Sequence, residues 1–469
     1  MEPVLSKALV WLRNDLRLSD NPALVEGCKL DETIAIYIHA TDKGLRPEGG
    51  AARWWLNRSL NSVAADLAKI GVKLKVECGL SLDVLKRVAG ETGADSVHWN
   101  RRYGPDAREL DKTIKASLRE DGLDVSSHEG NVLAEPWTVE TGQGKPYSVF
   151  TPFWKTLKAK DIARPLPAPR GKSIKSDAVD TDYVEPAWAE KLQHYWHHGE
   201  KAALSALDDF LEDKVEDYPE GRNVPAKDVT SRLSPHLRFG EISAREIWHR
   251  ALAYAHAKPS KAGAIDKFLS ELAWRDFSYH QLYHRDDISK VSMQPKYEGL
   301  EWRNAPKQLT AWSKGATGFP IIDAGMRELW ETGYMHNRVR MLVASLLTKN
   351  MLIDWRRGED WFWDCLVDAD EANNPASWQW VAGSGLDAAP YFRIFNPVTQ
   401  GERFDGAGDY VRRWVPELGK MPDKWVHKPF EAPEEVLKSA GVVLGRTYPN
   451  PVVDLKSTRA RALEAVSDL

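Results

Sequence analysis

In the first third of the chain, short apolar runs alternate with amphipathic stretches that end on glycine, and this alternation limits the fold more than any other feature. Ala8-Leu9-Val10-Trp11-Leu12 and Thr33-Ile34-Ala35-Ile36-Tyr37-Ile38 are predominantly apolar and have the length of buried strands. Shorter runs follow at 73–77, 96–99 and 124–126. Between them, Ala51 to Ile70 and Leu82 to Ala89 carry helical periodicity and are closed by Gly71 and Gly90. Apolar strands of this kind are covered on both faces, and consecutive parallel strands need a crossover helix. The pattern therefore predicts a doubly wound parallel sheet of Rossmann-like topology. The turn after the first strand reads Arg13-Asn14-Asp15-Leu16-Arg17, without the GxGxxG of a dinucleotide site, so the topology is expected without that phosphate-binding turn.

At 469 residues the chain exceeds a single hydrophobic core. Pro136, Pro146, Pro152, Pro165, Pro167, Pro169 and Pro186 interrupt the next stretch, and beyond it the strand signals vanish. The expected organisation is an α/β domain over 1–132, a connector over 133–200 and an all-α domain over 201–469. In the last, Ser234-Pro235 opens a helix that Gly240 closes, and Ser243-Ala244-Arg245-Glu246 is a capping box. Cys28, Cys78 and Cys365 are too few and too scattered for a disulfide framework or a metal knuckle, which suits a reducing compartment and a protein without a metal site. The N-terminus lacks the regions of a signal peptide, and no run of about 18 apolar residues follows. A soluble, cytoplasmic protein without membrane contact is expected. The net charge of −4 excludes a global positive field, so contact with nucleic acid would need a local basic groove.

The chemistry concentrates in the helical part, where nine of the chain's 20 tryptophans fall between Trp274 and Trp380. In Met335-His336-Asn337-Arg338-Val339-Arg340-Met341-Leu342-Val343-Ala344-Ser345-Leu346-Leu347, a rotation of about 100° per residue puts Val339, Leu342, Val343 and Leu346 on one face. Asn337, Arg338 and Met341 lie roughly opposite, as a solvated face or as a mixed surface for a flat heteroaromatic ligand. Asp368-Ala369-Asp370-Glu371-Ala372-Asn373-Asn374 is acidic but lacks the glycine and terminal glutamate of a calcium loop. It reads as a loop lining a cofactor, or as a source of partners for a buried arginine. Glu271 and Arg275 stand one helical turn apart beside Trp274, which also describes an ordinary surface ion pair. Thr230-Ser231-Arg232-Leu233-Ser234 precedes a helix start, where hydroxyls and free amides either hold phosphate or simply cap.

The order of these blocks, with Leu9-Val10-Trp11-Leu12-Arg13-Asn14-Asp15-Leu16-Arg17-Leu18-Ser19-Asp20-Asn21-Pro22-Ala23-Leu24, the 312–325 and 335–341 blocks and Asp368 through Gln400, resembles the photolyase/cryptochrome family over nearly the whole chain. The Asp368–Gln400 block includes Asp387-Ala388-Ala389-Pro390-Tyr391-Phe392-Arg393-Ile394-Phe395-Asn396-Pro397. The resemblance implies an α/β antenna domain followed by an all-α C-terminal FAD-binding domain. It also implies a monomeric enzyme that splits cyclobutane pyrimidine dimers in DNA by electron transfer from photoexcited reduced FAD to a flipped-out dimer. A second chromophore, methenyltetrahydrofolate or a deazaflavin, is implied as antenna. Asp106-Ala107 replaces the folate-contacting Asn-Glu pair of one class, while Trp54 or Trp55 either stacks on a folate or packs against the sheet.

Residue by residue, the resemblance assigns FAD binding to Tyr218, Thr230, Ser231, Arg232, Leu233, Ser234, Arg275, Arg340, Asp368, Ala369, Asp370 and Asn374. Asn374 faces flavin N5, where plant cryptochromes typically have Asp and animal ones Cys. Trp378, Trp355 and Trp302 match a chain of electron carriers. Glu271, Trp274, Asn337, Arg338, Met341 and Trp380 match the pocket for the extruded dimer, with Arg222, Arg393 and Gln400 on the DNA strand. Glu271 is implied to hydrogen-bond a dimer carbonyl and to stabilise the dimer after electron arrival. The alternatives are a cryptochrome-type blue-light receptor and a (6-4) photoproduct enzyme. The latter carries histidines in place of Asn337 and Met341.

Overall fold

The computed structural model describes residues 5–176, 178–285, 287–387, 392–467 and 469; of the quoted motifs, Ala388 to Tyr391 lie outside them. Two compact units are present, one of Met1–Glu216 with Ser231–Asp286 and one of Asp217–Thr230 with Asp287–Leu469.

The first unit holds five parallel strands, β1 (Lys7–Leu12), β2 (Glu32–Ala40), β3 (Lys73–Gly79), β4 (Ser96–Asn100) and β5 (Asp124–His128), in the order β3-β2-β1-β4-β5. The crossovers contain α1 (Pro22–Gly27), α2 (Gly50–Lys69), α3 (Ser81–Thr92) and α4 (Pro105–Glu120). This is the doubly wound sheet that the alternation predicts. One face packs Leu9, Trp11, Ile36 and Val97 against Val84, Leu85 and Val88 of α3 and Ile114 and Leu118 of α4. One boundary differs from expectation, since Gly90 lies inside α3 and Gly93, at φ +65°, forms its left-handed cap. Thr92 Oγ1 donates to Val88 O at 2.7 Å and carries the helix the extra turn past Gly90.

Strand order reverses at β1, and in such sheets ligands enter beside the carboxyl ends of the strands at the reversal. Here that place is filled by side chains. Arg13, 7% exposed, pairs with Asp111 at 3.0 Å, donates to Asn100 O and lies 4.5 Å over the Trp11 ring. Asn100 Nδ2 in turn donates to Asp15 at 2.6 Å.

Among the further helices of this unit are α5 (Ser234–Phe239), α6 (Ala244–Ala257) and α7 (Ala262–His284). Gly240 closes α5 at φ +68°, where a Cβ would collide with Asn14 O, so only glycine fits. Ser243 Oγ accepts from Glu246 N at 2.9 Å, as the capping box predicts. Arg245 of α6 is held by Asp20 through Nε at 3.1 Å and Nη2 at 2.6 Å, both residues being buried.

The second unit is helical apart from an isolated bridge, among the described residues. It includes α8 (Pro320–Thr332), α9 (Asn337–Ser345), a π-helical turn at Leu346–Asn350, α10 (Trp355–Cys365), α11 (Asn373–Ala382), α12 (Pro397–Phe404) and α13 (Asp409–Trp414) around one apolar core. No described helix is long and apolar enough to cross a membrane.

Removing one partner of a buried ion pair strands the other charge at a cost of about 3–5 kcal/mol. Asp20→Ala is expected to lower the stability of the first unit by that order in urea unfolding, through the loss of its bonds to Arg245. An unchanged midpoint would show that Glu129, the other carboxylate on Arg245, holds it alone.

Candidate active site

In the second unit, α9 presents its apolar residues inward, with Val339, Leu342, Val343 and Leu346 at most 2% exposed, while Asn337 is exposed and Arg338 and Met341 are half-buried. Arg340 projects from the same helix. Its Nη1 and Nη2 donate to the two oxygens of Asp368 at 3.1 and 2.8 Å, and its Nε donates to Met335 O at 2.7 Å. The loop that follows α10 is thereby fixed to α9, with Asp368, Ala369 and Asp370 all buried. Burial opposes the Arg340 charge, Asp368 outweighs it, and the guanidinium pKa is raised.

Asp370 faces the next helix. Its Oδ1 accepts from Ala372 N at 2.9 Å and from Asn373 N, and its Oδ2 accepts from Asn373 Nδ2 at 2.7 Å, so this carboxylate secures the start of α11. One turn on, Asn374 Nδ2 donates to Glu359 O at 3.1 Å and Glu359 Oε1 at 2.7 Å. Both donors of the amide face α10, which leaves Oδ1 as its acceptor end. Glu359, 2% exposed, has no local pattern that marks it, and only the packing of α10 on α11 reveals its role.

Trp378 and Trp355 are 2% and 0% exposed, and Trp302 is half-buried against the same core. Trp378 meets Phe362 edge-on at 5.0 Å and Trp312 at 6.1 Å. A Cβ at Gly358 would overlap the Trp378 ring, so the glycine of α10 is what lets that ring approach the helix. Trp380 donates to Asp387 O at 3.1 Å. Arg222 lies 5.7 Å over the ring of Tyr218, Arg393 lies 4.7 Å over Phe395, and Gln400 is half-exposed on α12. Arg338 donates to Asn223 Oδ1 and to Met341 Sδ at 3.7 Å, and it stacks over Phe404. Thr230 belongs to this unit and is half-buried.

The first unit carries the remaining candidates. Ser231, Arg232 and Leu233 precede α5, with Arg232 at φ +52°, its guanidinium 4.7 Å over Trp196, and Ser234 as the first helical residue. Glu271 does not pair with Arg275; it accepts from Lys267 Nζ at 2.7 Å. Arg275, 8% exposed, lies 4.7 Å over Tyr279 and leaves Nε and Nη1 without hydrogen-bond partners. Trp274 stacks on Phe150 at 3.8 Å, which covers one of its faces. Trp54 and Trp55 are fully buried and meet His198 edge-on at 4.8 and 4.5 Å. Beside Arg275, burial raises the Asp276 carboxyl to a pKa of about 6 against the pull of Arg275 and the amides of Leu133 and Ala134.

Comparison with known proteins agrees across both units. The family described as DNA photolyase matches residues 8–170, and the FAD binding domain of DNA photolyase matches residues 268–468. A deoxyribodipyrimidine photo-lyase of Agrobacterium fabrum is 48% identical over 467 residues, 97% of either chain. Cryptochrome-1 of Arabidopsis thaliana is 34% identical over 98% of this chain and 70% of its own length. The crystal structure of a bacterial class III photolyase from Agrobacterium tumefaciens superposes with a TM-score of 0.95 at 46% identity, covering 100% of this chain and 98% of that one.

Two outcomes are expected from this geometry. A Gly358→Ala methyl has no room beside Trp378, so the variant should lose about 1–3 kcal/mol by overpacking and shift tryptophan emission. Asp276 has a folded pKa raised above its unfolded value of 3.8, so its contribution is present below about pH 4 and lost as pH rises through about 6. Asp276→Asn should therefore raise the unfolding free energy in urea at about pH 8 by about 3 kcal/mol, with the gain vanishing toward about pH 4. A gain that does not vary with pH would assign it to packing instead.

Proposed function

The chain belongs to the DNA photolyase family, and on that premise we propose that it is a light-driven lyase that opens cyclobutane pyrimidine dimers in DNA with FAD as cofactor. The observation that carries the reading is the unit formed by Arg340, Asp368 and Asn374, with the Asn374 amide oriented by Glu359. Its fit to a flavin is specific. An amide whose donors are both engaged can only accept from a ring N–H, and it cannot deliver a proton as a carboxylic acid does. In the first unit, the buried Arg275 guanidinium is ion-paired with Asp276 at 3.5 Å through Nη1 and keeps its Nε without a hydrogen-bond partner, which fits an anionic or carbonyl oxygen of a ligand at the place that resemblance gives to Arg275. FAD supplies light-driven one-electron donation to the dimer and recovery of that electron, with no net redox change.

The protein's own residues bind and orient. A dimer inside a duplex is out of reach, so it is extruded, and its disturbed stacking lowers the cost by a few kcal/mol. Trp274 gives an apolar face for a pyrimidine, Glu271 hydrogen-bonds a carbonyl of the pair, Arg338 lines the same pocket, and Arg222, Arg393 and Gln400 contact the strand. Asn337 and Met341 stand where the (6-4) enzymes have histidines, which favours cyclobutane dimers. Asn374 and the lower identity to the plant cryptochrome favour repair over signalling. Trp378 and Trp355 are buried and Trp302 is half-buried, and in the order that the resemblance gives them they can pass a positive charge outward stepwise. We also propose a second chromophore, a methenylated folate or a deazaflavin, whose absorption band in the purified protein is expected beside those of flavin.

Blue light should restore a thymine-dimer oligonucleotide in the presence of the FAD-loaded protein, and no restoration would overturn the reading. Glu271→Ala should cut repair yield several-fold with FAD content unchanged, since a buried hydrogen bond to a charged partner contributes about 1.5–3 kcal/mol. Trp378→Phe should slow photoreduction of oxidised flavin yet spare repair after chemical reduction; normal photoreduction would mean that electrons arrive by another route.

A further inference from the structure

His336 lies between residues with assigned roles and has none of its own. It is the N-cap of α9, and its Nδ1 accepts from Arg338 N at 3.2 Å. Because that nitrogen accepts, the neutral ring carries its proton on Nε2. The Nε2–H is buried, in a residue 5% exposed, and has no hydrogen-bond partner. A buried donor without an acceptor costs about 1–3 kcal/mol, which an acceptor from water or from a ligand recovers.

The surroundings hold the ring in this state. From α9 it faces Arg338 and Arg340, the latter paired with Asp368, and from the preceding segment of the unit it faces Arg222. From α8, Glu328 accepts the backbone N–H of His336 at 3.2 Å and also the hydroxyl of Tyr410 in α13 at 2.5 Å, so that carboxylate is directed to the backbone. Burial first, then the three arginines, lower the imidazole pKa to about 4. The first turn of α9 contains no acidic residue and has Arg338 at its second position, although a helix N-terminus disfavours cations. The helix start is thus positive, closed to protons and equipped with one oriented neutral donor.

We propose that His336 is a contact and positioning residue for the damaged strand, its Nε2–H donating to a carbonyl oxygen of the extruded pyrimidine pair while its Nδ1 keeps the first turn of α9 in place. The proposal rests on the lyase reading above. A base edge is favoured over a phosphate because the donor is buried and neutral, and enzymes that extrude bases read them through hydrogen bonds to their edges. His336 moves no proton, since it stays uncharged through the neutral range.

The test uses the FAD-loaded protein and two variants. His336→Asn keeps an acceptor for Arg338 N and removes the Nε2 donor, whereas His336→Ala removes both. His336→Asn should melt with the wild type and His336→Ala below it. His336→Asn should bind a thymine-dimer oligonucleotide about tenfold more weakly while binding undamaged DNA unchanged. Histidine 15N resonances should show the Nε2–H tautomer from about pH 5.5 to about pH 8 and shift on adding damaged but not undamaged oligonucleotide. Equal losses on both DNAs would assign the contact to a phosphate and overturn the proposal, as would full retention of preference by His336→Asn or a ring protonated near neutral pH. A wild type without preference for the dimer would instead overturn the lyase reading itself.

Discussion

The second unit depends on the two-pronged bond between Arg340 and Asp368. It is part-buried, two-pronged and charge-assisted, so it fixes distance and orientation together. One end belongs to α9, which also carries Asn337, Arg338 and Met341, and the other belongs to the loop that leads into α11, with Asn374 and Trp378. A single interaction thereby sets where both groups of side chains stand. Asp370, bound to the amides that start α11, transmits that position to Asn374, and Glu359 fixes the turn of its amide. Loss of the pair would leave one charge stranded in an apolar core, which is why this arrangement behaves as one unit.

A related economy appears in how the chain, net negative as a whole, concentrates positive charge at the start of α9. Arg338 and Arg403 both lie over the ring of Phe404, at 4.6 and 5.0 Å, so aromatic faces as well as carboxylates hold the guanidinium groups. An arginine held over a ring keeps its planar donors directed outward, whereas one closed into a tight ion pair has its field cancelled. The second condition describes Arg13 and Arg245 of the first unit, which stabilise the fold and have no outward role.

The sheet was legible because its two leading strands, β1 and β2, are predominantly apolar runs and each long crossover carries its own period. The boundary of α3 was not, since a lone glycine is tolerated inside a helix and only the left-handed backbone at Gly93 shows where the chain turns. Within the site, Arg340 and Asp368 stand 28 positions apart, and nothing local to either names the other. The motif order identified them through the family they resemble. Glu359, Gly358 and His336 were missed for a different reason. Glu359 and Gly358 act through contacts that exist only once α10 packs on α11, and alone they look like a surface acid and a helix break, while His336 alone looks like an ordinary capping residue.

The tryptophans show how far packing and function share one set of constraints. A fully buried indole gives large apolar burial, and for Trp312, whose Nε1 donates to Val343 O at 2.9 Å, core packing accounts for everything observed. Trp355 differs: it is equally buried, yet its Nε1 has no partner. Packing alone would favour phenylalanine there, which fills most of the volume without a stranded donor. Gly358 makes the same argument for Trp378, because an alanine with a smaller ring would satisfy helix propensity and core volume together. What indole adds at both positions is ease of oxidation. Trp414 of the same unit also leaves its Nε1 without a partner, so that feature belongs to buried indole generally, and the proposed charge transfer rests on the order of the three rings in the resemblance.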